Sequence, residues 1–109
     1  MKKYYLTLDL VDNPELIKEY DQWHREVWPE VISSIKDAGI EQMEIYRHHN
    51  RLFMMMEVNS TYNAERKAAM DLANERVQEW EALMWKYQQA LPGAKPGEKW
   101  MLMDKIFEL

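Results

Sequence analysis

Residues 4–11 alternate between two sides of an extended chain, and one side carries Tyr4, Leu6, Leu8 and Leu10. A period of two predicts a β-strand. The segment Asn13-Pro14-Glu15 then predicts a helix start. Asparagine caps helices, proline fits the first helical position, and a carboxylate favours the positive end of the helix dipole.

A helical spacing of apolar residues continues to Gly39, through Leu16, Tyr20, Val27, Val31 and Ile35. Glycine is typical of the residue that follows a helix. Pro29 lies inside this region, and its ring excludes the carbonyl group one turn earlier. We therefore expect the helix to kink at Pro29 or to split there into two.

Two β-prone segments follow, residues 40–47 and 51–58, separated by the polar turn His48-His49-Asn50. Both sides of the second segment are apolar, which is typical of a central strand. A second helical region is predicted from a cap at Ser60 or Thr61 to about Leu91, and it allows an interruption around Asn74.

Prolines and glycines predict a loop from Leu91 to Gly97. Alternation at Trp100, Leu102 and Ile106 predicts a final strand that ends at Leu109. The order is strand, helix, strand, strand, helix, strand. It predicts an α+β fold of the ferredoxin-like βαββαβ type, one domain over residues 1–109, with helices on one face of an antiparallel sheet. The other sheet face stays uncovered, so we expect a homodimer.

Composition and charge restrict the classes of function that the chain can have. The chain has 109 residues, 47% hydrophobic and 30% charged, with a net charge of -5. An acidic domain without a basic stripe argues against a nucleic-acid partner. There is no cysteine, no apolar run of membrane-spanning length and no motif for a phosphate, a cofactor or a metal. We expect a cytoplasmic protein with no membrane partner, no cofactor and no metal.

Five tryptophans, six tyrosines and nine methionines are many for this length. A core of large residues explains most of them, but some can line a small-ligand cavity. Tyr20, His24 and Trp28 are spaced to share one helix face, where the rings could hold a polar ligand and the imidazole could exchange a proton. On spacing alone, core packing is the simpler interpretation.

Two other segments give weaker signals. His48 and His49 are adjacent in a turn and have no third ligand nearby, so a solvated turn is favoured over a zinc site. Trp85 lies in the second helical region, where core packing is the simpler interpretation for a stripe of apolar residues at helical spacing: Trp80, Leu83, Met84, Tyr87 and Leu91.

The chain resembles the L-rhamnose mutarotase family over nearly its whole length. The resemblance depends on Tyr20-x-x-x-His24-x-x-x-Trp28-Pro29-Glu30, then Gly39, Ile45-Tyr46, the strand from Leu52-Phe53 to Glu57, Trp85-Lys86-Tyr87 and Pro92. It implies a dimeric α/β barrel in which two sheets pack in a homodimer. It also implies a sugar mutarotase, an isomerase that interconverts the anomers of a 6-deoxyhexose such as L-rhamnose or L-fucose.

The resemblance further implies that His24 is the proton donor, that Tyr20 binds the sugar and that Trp85 is the second member of a Trp-Trp pair at the sugar site. Two positions depart from the family pattern, because Met43 replaces a substrate-contacting tyrosine and Met84 replaces the first tryptophan. These departures leave the identity of the deoxy-sugar open.

The expected reaction protonates the ring oxygen and removes the anomeric hydroxyl proton, and general acid–base groups suffice for it. Trp28 and Trp85 are expected to pack on the sugar, and Tyr46, an acidic residue or water is the candidate base. Two alternatives use the same aromatic residues: a small ferredoxin-like monooxygenase acting on aromatic compounds, and a non-catalytic sugar-binding module.

Overall fold

A computed structural model describes all 109 residues. One antiparallel sheet has the strand order β2-β3-β1-β4, with a short β5 that also pairs with β1. The strands are β1 (Lys2–Leu10), β2 (Ile40–His48), β3 (Arg51–Val58), β4 (Gln88–Gln89) and β5 (Met101–Leu102), and the helices are α1 (Pro14–Trp23), α2 (Pro29–Asp37), α3 (Ala64–Leu72) and α4 (Glu75–Trp85). This order confirms the ferredoxin-like α+β class.

The core lies between the helices and one face of the sheet. Leu8, Leu10 and Leu52 are almost fully buried there, together with Tyr20, Trp80 and other residues of α1, α2 and α4. At the Val58 end of β3, a smaller cluster joins Ile40, Met56 and Val58. Strand β3 has neighbours on both sides, which confirms that it is central.

The predicted split at Pro29 is confirmed, and it changes the position of Trp28. Helix α1 begins after the cap Asn13, with Pro14 as its first residue, and ends at Trp23. Trp28 has extended backbone (φ -56°, ψ 135°) and precedes α2, since a following proline disfavours the helical conformation. The prediction that Tyr20, His24 and Trp28 share one helix face is therefore wrong, because no single helix contains all three.

The second helical region begins later and ends earlier than predicted. Asn63, not Ser60 or Thr61, caps α3 through its side-chain oxygen. The predicted interruption is confirmed at Asn74, which caps α4. Helix α4 ends at Trp85 rather than near Leu91, because Gln88 pairs with Leu10 and extends the sheet instead.

The predicted last strand over Trp100–Leu109 is mostly wrong. Only Met101 and Leu102 pair with β1, opposite Thr7 and Leu6. On the side that precedes Met101, the β1 positions Asp9 and Leu10 are already paired with β4. On the other side, the strand ends after one further backbone hydrogen bond, from Met103 N–H to Tyr5 O. Residues 103–109 have no regular structure and are largely exposed.

The uncovered face of the sheet carries Tyr5, Phe53 and Tyr46. Their rings lie side by side across three strands, with centroids 6.0 Å apart for Tyr5 and Phe53 and 6.2 Å apart for Tyr46 and Phe53. No helix of the chain covers this face. No helix is long and apolar enough to cross a membrane.

Gly39 ends the α2 region with φ +96°, a conformation that favours glycine. A Cβ atom there would lie 2.7 Å from Asn59 Oδ1 and Thr61 Oγ1 and 3.0 Å from the Tyr62 backbone nitrogen. Gly39→Ala should lower the free energy of unfolding by about 3 kcal/mol, since a positive φ and steric overlap both act. Chemical denaturation measures the loss.

Gly93 provides the matched control, because it also has a positive φ (+83°) but nothing within 4 Å of its Cβ position. Gly93→Ala should cost only about 1 kcal/mol. Equal losses in the two variants would contradict the steric explanation at Gly39.

Candidate active site

A cavity of about 650 Å³ lies between the sheet and the helices. Its floor is the inner sheet face, with side chains from β1, β2 and β3. Helices α1 to α4 and the segment before β5 contribute the walls. A volume of this size is typical of small-molecule sites. Most of the lining is apolar, so the few polar side chains that face the cavity define what it can bind.

Tyr20 is the central buried polar residue of this cavity. Its phenol oxygen accepts a hydrogen bond of 3.3 Å from Nε2 of Gln88. Burial raises the pKa of Tyr20 to about 12, the Gln88 bond opposes this change, and Asp21 adds to it. The phenol is therefore neutral at ordinary pH. Its oxygen already accepts from Gln88, so its own O–H is free to donate to a ligand.

His24 lines the same cavity at the C-terminal end of α1. The backbone N–H of His24 donates to Asp21 O rather than to Tyr20 O. The Tyr20 carbonyl lies 2.8 Å from Nδ1 of His24 instead. A carbonyl oxygen can only accept, so Nδ1 must carry the hydrogen. Nε2 is left as the ring nitrogen that can exchange a proton with a ligand.

Aromatic rings hold the His24 imidazole in place. The Tyr20 ring centroid is 4.4 Å away, and the Trp80 ring meets the imidazole edge-on at 5.8 Å. Trp80 also lines the cavity. The sequence placed it in the buried stripe of the second helical region but did not indicate a functional role. Its spacing is that of any core residue, and only the approach of α4 to His24 reveals its position.

Tyr20 and His24 also border a smaller cavity of about 220 Å³. There the Arg47 guanidinium donates to both carboxylate oxygens of Asp21, at 2.9 and 2.6 Å. This ion pair lies partly exposed at the surface. His24 therefore forms part of the wall of two cavities.

Met43 and Met84, the two departures from the family pattern, both line the large cavity. Met84 is buried on α4, and Met43 lies on the inner face of β2 beside Met56. The structure therefore brings four of the seven predicted site residues together: Tyr20, His24, Met43 and Met84.

Three other predicted site residues lie outside the large cavity. Trp28 packs edge-on against Trp80 and Trp23, under the Arg76 guanidinium, whose carbon lies 3.8 Å from its ring centroid. This position follows from the break before α2, which turns Trp28 away from the line of Tyr20 and His24.

Tyr46 and Trp85 point elsewhere for different reasons. Tyr46 pairs with Phe53 in register, which places it on the sheet face opposite the cavity, and its hydroxyl donates to Glu44. Trp85 follows the cavity residue Met84 on α4, so it points to another side of the helix and is 39% exposed. Lys99 Nζ lies 4.9 Å from its ring centroid.

Gln88 is a site residue that the sequence did not reveal. It is buried on β4 and lines the cavity, and its Oε1 has no hydrogen-bond partner. An unpaired buried amide oxygen is unfavourable unless a ligand or water donates to it. The sequence predicted a helix at this position, and only the pairing of β4 with β1 turns Gln88 toward Tyr20.

The fold and this site define a ferredoxin-like protein with a mostly apolar cavity of small-ligand size, into which a few polar side chains project. The L-rhamnose mutarotase family model matches residues 3–109. An L-fucose mutarotase of Xanthomonas campestris is 50% identical, over 100% of this chain and 89% of its own length. An L-rhamnose mutarotase of Escherichia coli K12 is 31% identical, over 77% of this chain and 75% of its own length.

Among solved structures, the L-rhamnose mutarotase of Formosa agariphila superposes with a TM-score of 0.72, at 20% identity, over 100% of this chain and 99% of the other. The chain belongs to the L-rhamnose mutarotase family. The resemblance found in the sequence is thereby confirmed. Membership places the protein among the sugar mutarotases, which are isomerases acting on carbohydrates.

The raised pKa of Tyr20 predicts a loss of stability at high pH. The unfolded chain loses the phenol proton near pH 10, but the folded chain keeps it to about pH 12. The stabilisation from this residue is complete below pH 10 and falls as pH rises toward 12. From about pH 9 to about pH 11.5, the wild type should lose about 2 kcal/mol more unfolding free energy than Tyr20→Phe.

Urea denaturation at the two pH values measures this difference. Tyr20→Phe also removes the bond to Gln88, but that loss is the same at both pH values and cancels in the comparison. Parallel pH profiles for the two proteins would contradict the assignment of a buried, neutral phenol.

Proposed function

We propose that this protein is a mutarotase for a 6-deoxyhexose, with L-fucose as the preferred sugar, and that Tyr20 and His24 form its site. The observation that best supports this proposal is the hydrogen bond between His24 Nδ1 and the Tyr20 carbonyl. It leaves Nε2 as the single exchangeable ring nitrogen of a residue that lines the large cavity. Met43, Met84, Trp80 and Gln88 complete the proposed sugar site.

In the proposed reaction, His24 acts in its imidazolium form, with a proton on each ring nitrogen, and donates the Nε2 proton to the ring oxygen of the sugar. The anomeric hydroxyl loses its proton to water, the bond between the anomeric carbon and the ring oxygen breaks, and an aldehyde forms. Rotation of the aldehyde and the reverse proton transfers close the ring on its other face. The proton transfers cancel over one cycle, so no further reactant is consumed.

Tyr20 is proposed to orient a sugar oxygen rather than to act as the base. Its pKa of about 12 keeps the phenol protonated at neutral pH, so it donates a hydrogen bond and does not accept the anomeric proton. Gln88 supports this role in two ways. Its Nε2 donates to the phenol oxygen, and its unpartnered Oε1 can accept from a sugar hydroxyl.

Two observations favour L-fucose over L-rhamnose. Identity is 50% to the L-fucose mutarotase and 31% to the L-rhamnose mutarotase. In addition, Met43 and Met84 replace aromatic residues of the rhamnose-type pattern, and both replacements line the cavity. Replacing a tyrosine removes a hydroxyl that would contact the sugar, which alters discrimination between hydroxyl configurations.

Anomer exchange measured by saturation-transfer NMR tests the proposal. The wild type should accelerate exchange of L-fucose more than that of L-rhamnose, and His24→Ala should slow catalysed exchange by about 100-fold or more. Unchanged exchange in His24→Ala would overturn the role of this residue. Sugar binding without any acceleration would indicate a non-catalytic module instead.

His49→Asn is the matched control for this experiment. His49 is exposed, bonds to Asp12 and has φ +52°, a conformation that asparagine accepts. The His49→Asn variant should keep the wild-type exchange rate.

The expected cytoplasmic location stays a prediction, which cell fractionation would test.

The proposed enzyme is a homodimer, paired through the uncovered sheet face. Tyr5 and Tyr46 are exposed there beside Phe53, and an aromatic face of this kind is typical of an interface. Sedimentation should give twice the 13.2 kDa chain mass for the wild type. Phe53→Glu should give the single-chain mass, because it would bury a charge between the two sheets.

Leu72→Glu is the control, since Leu72 is 74% exposed on α3, away from the sheet. It should remain dimeric. A monomeric wild type, or a dimeric Phe53→Glu variant, would contradict pairing through this face.

A further inference from the structure

The large cavity contains a second group of polar side chains, Lys67 and Asp71 of α3 with Tyr62 before this helix. Tyr62 packs on the cluster of Ile40, Met56 and Val58, at one end of β3. Tyr20 packs in the main core with Leu52, at the other end of this strand. The six residue steps from Leu52 to Val58 correspond to about 20 Å of strand, so the cavity has two separate polar ends.

Asp71 is the unusual residue of this second end. It is 7% exposed. Its Oδ2 accepts a 2.5 Å hydrogen bond from Lys67 Nζ, one turn earlier on the helix, and its Oδ1 has no hydrogen-bond partner. Its backbone carbonyl accepts from Gln78, which ties the end of α3 to α4.

A role in stability alone does not explain this arrangement. Pairs spaced by four residues on a helix stabilise it modestly while fully solvated, and they need no burial. Burying a carboxylate with one oxygen unpaired is unfavourable, because that oxygen loses its hydrogen bonds to water and gains none from the protein. Asp71 lines the cavity, but its free oxygen has almost no accessible surface of its own. A rotation of the carboxylate would bring this oxygen to a donor from a ligand, which would remove this cost. Gln88 Oε1 is in the same situation at the other end.

The chemistry of the second end matches neighbouring hydroxyl groups. A hydroxyl can donate to Asp71 Oδ1 while the next one accepts from Lys67, whose ammonium has further N–H groups. The opposite charges of the pair cancel, so a neutral ligand is favoured over an ion. Partial burial, with smaller effects of Tyr4 and Asp71, raises the pKa of Tyr62, so its phenol also remains a donor.

We infer that Asp71 and Lys67 form a second sugar-binding subsite, which binds a hydroxyl pair of a sugar unit other than the one that reacts at His24. The inference rests on the proposed function only in taking the ligand to be a sugar. A volume of about 650 Å³ is in the range that holds drug-sized ligands, larger than a single sugar ring. The second unit is either a free monosaccharide or a unit linked to the reducing deoxyhexose.

Titration of the full chain, followed by amide shifts in ¹H–¹⁵N NMR, tests this subsite. Two probes are used: L-fucose, and a disaccharide with L-fucose at its reducing end. If the source is a free sugar, L-fucose should move amides around Asp71 with a second, independent saturation curve. If the source is a linked unit, only the disaccharide should move both sets of amides, in one curve.

Asp71→Asn and Lys67→Met should each weaken the binding of the sugar at the Asp71–Lys67 subsite by about tenfold or more. Both should leave the anomer exchange rate of saturating L-fucose within about twofold of the wild type. The two variants remove opposite charges, so a folding defect in one leaves the other informative. Glu65→Gln is the control, because Glu65 is an exposed carboxylate on the same helix.

Three results would overturn the subsite: no shifts at the Asp71 end with either probe, shifts that are unchanged in both variants, or a loss of L-fucose exchange in both. The last would place Asp71 in the reacting site itself. If the wild type accelerated no anomer exchange, the proposed function would fail, but the titration would still decide whether Asp71 binds a sugar.

Discussion

The geometry of the site depends on the Tyr20 backbone carbonyl, which has no backbone N–H partner and bonds to a side chain instead. Helix α1 ends at Trp23, so the Tyr20 carbonyl loses the backbone donor that it would have in a longer helix. The His24 imidazole replaces that donor at 2.8 Å. A helix that continued through residue 28 would leave Nδ1 without this partner and the ring without a fixed tautomer. The break in the helix therefore orients the proposed proton donor.

The sequence predicted the parts of this protein that depend on local chemistry. Strand β3 has the predicted bounds, and the caps at Asn13 and Asn74 and the break at Pro29 follow from the properties of those residues. Its errors arise where pairing between distant segments decides the outcome. Gln88 leaves a predicted helix because the edge of β1 is available, and the last strand stops after Leu102.

The candidate site shows the same division. Tyr20 and His24 could be predicted from the sequence because they are one helical turn apart and match a family motif. The positions of Trp28, Tyr46 and Trp85 depend on a helix break, a strand register and a helix face, which the motif does not contain. Trp80 and Gln88 were missed because a buried tryptophan and a glutamine near a helix end carry no distinctive local signal.

The cavity combines a strongly apolar lining with a few unpaired polar atoms. Gln88 Oε1 and Asp71 Oδ1 are the buried side-chain polar atoms without partners, and both residues face this space. Such groups lower the stability of the empty protein. Both unpaired groups therefore lie along the cavity in which a hydroxylated ligand would be bound.

The short pairing of β5 has a consequence for motion. Lys99 and Trp100 wall the cavity immediately before this strand, which is attached to β1 through only two paired positions. The pairing of β1 with β3 extends over eight. Local opening of a segment costs less free energy when it breaks fewer hydrogen bonds. Amide hydrogens of the C-terminal segment should therefore exchange with solvent while the central strands stay protected, and the cavity wall can open without unfolding its floor.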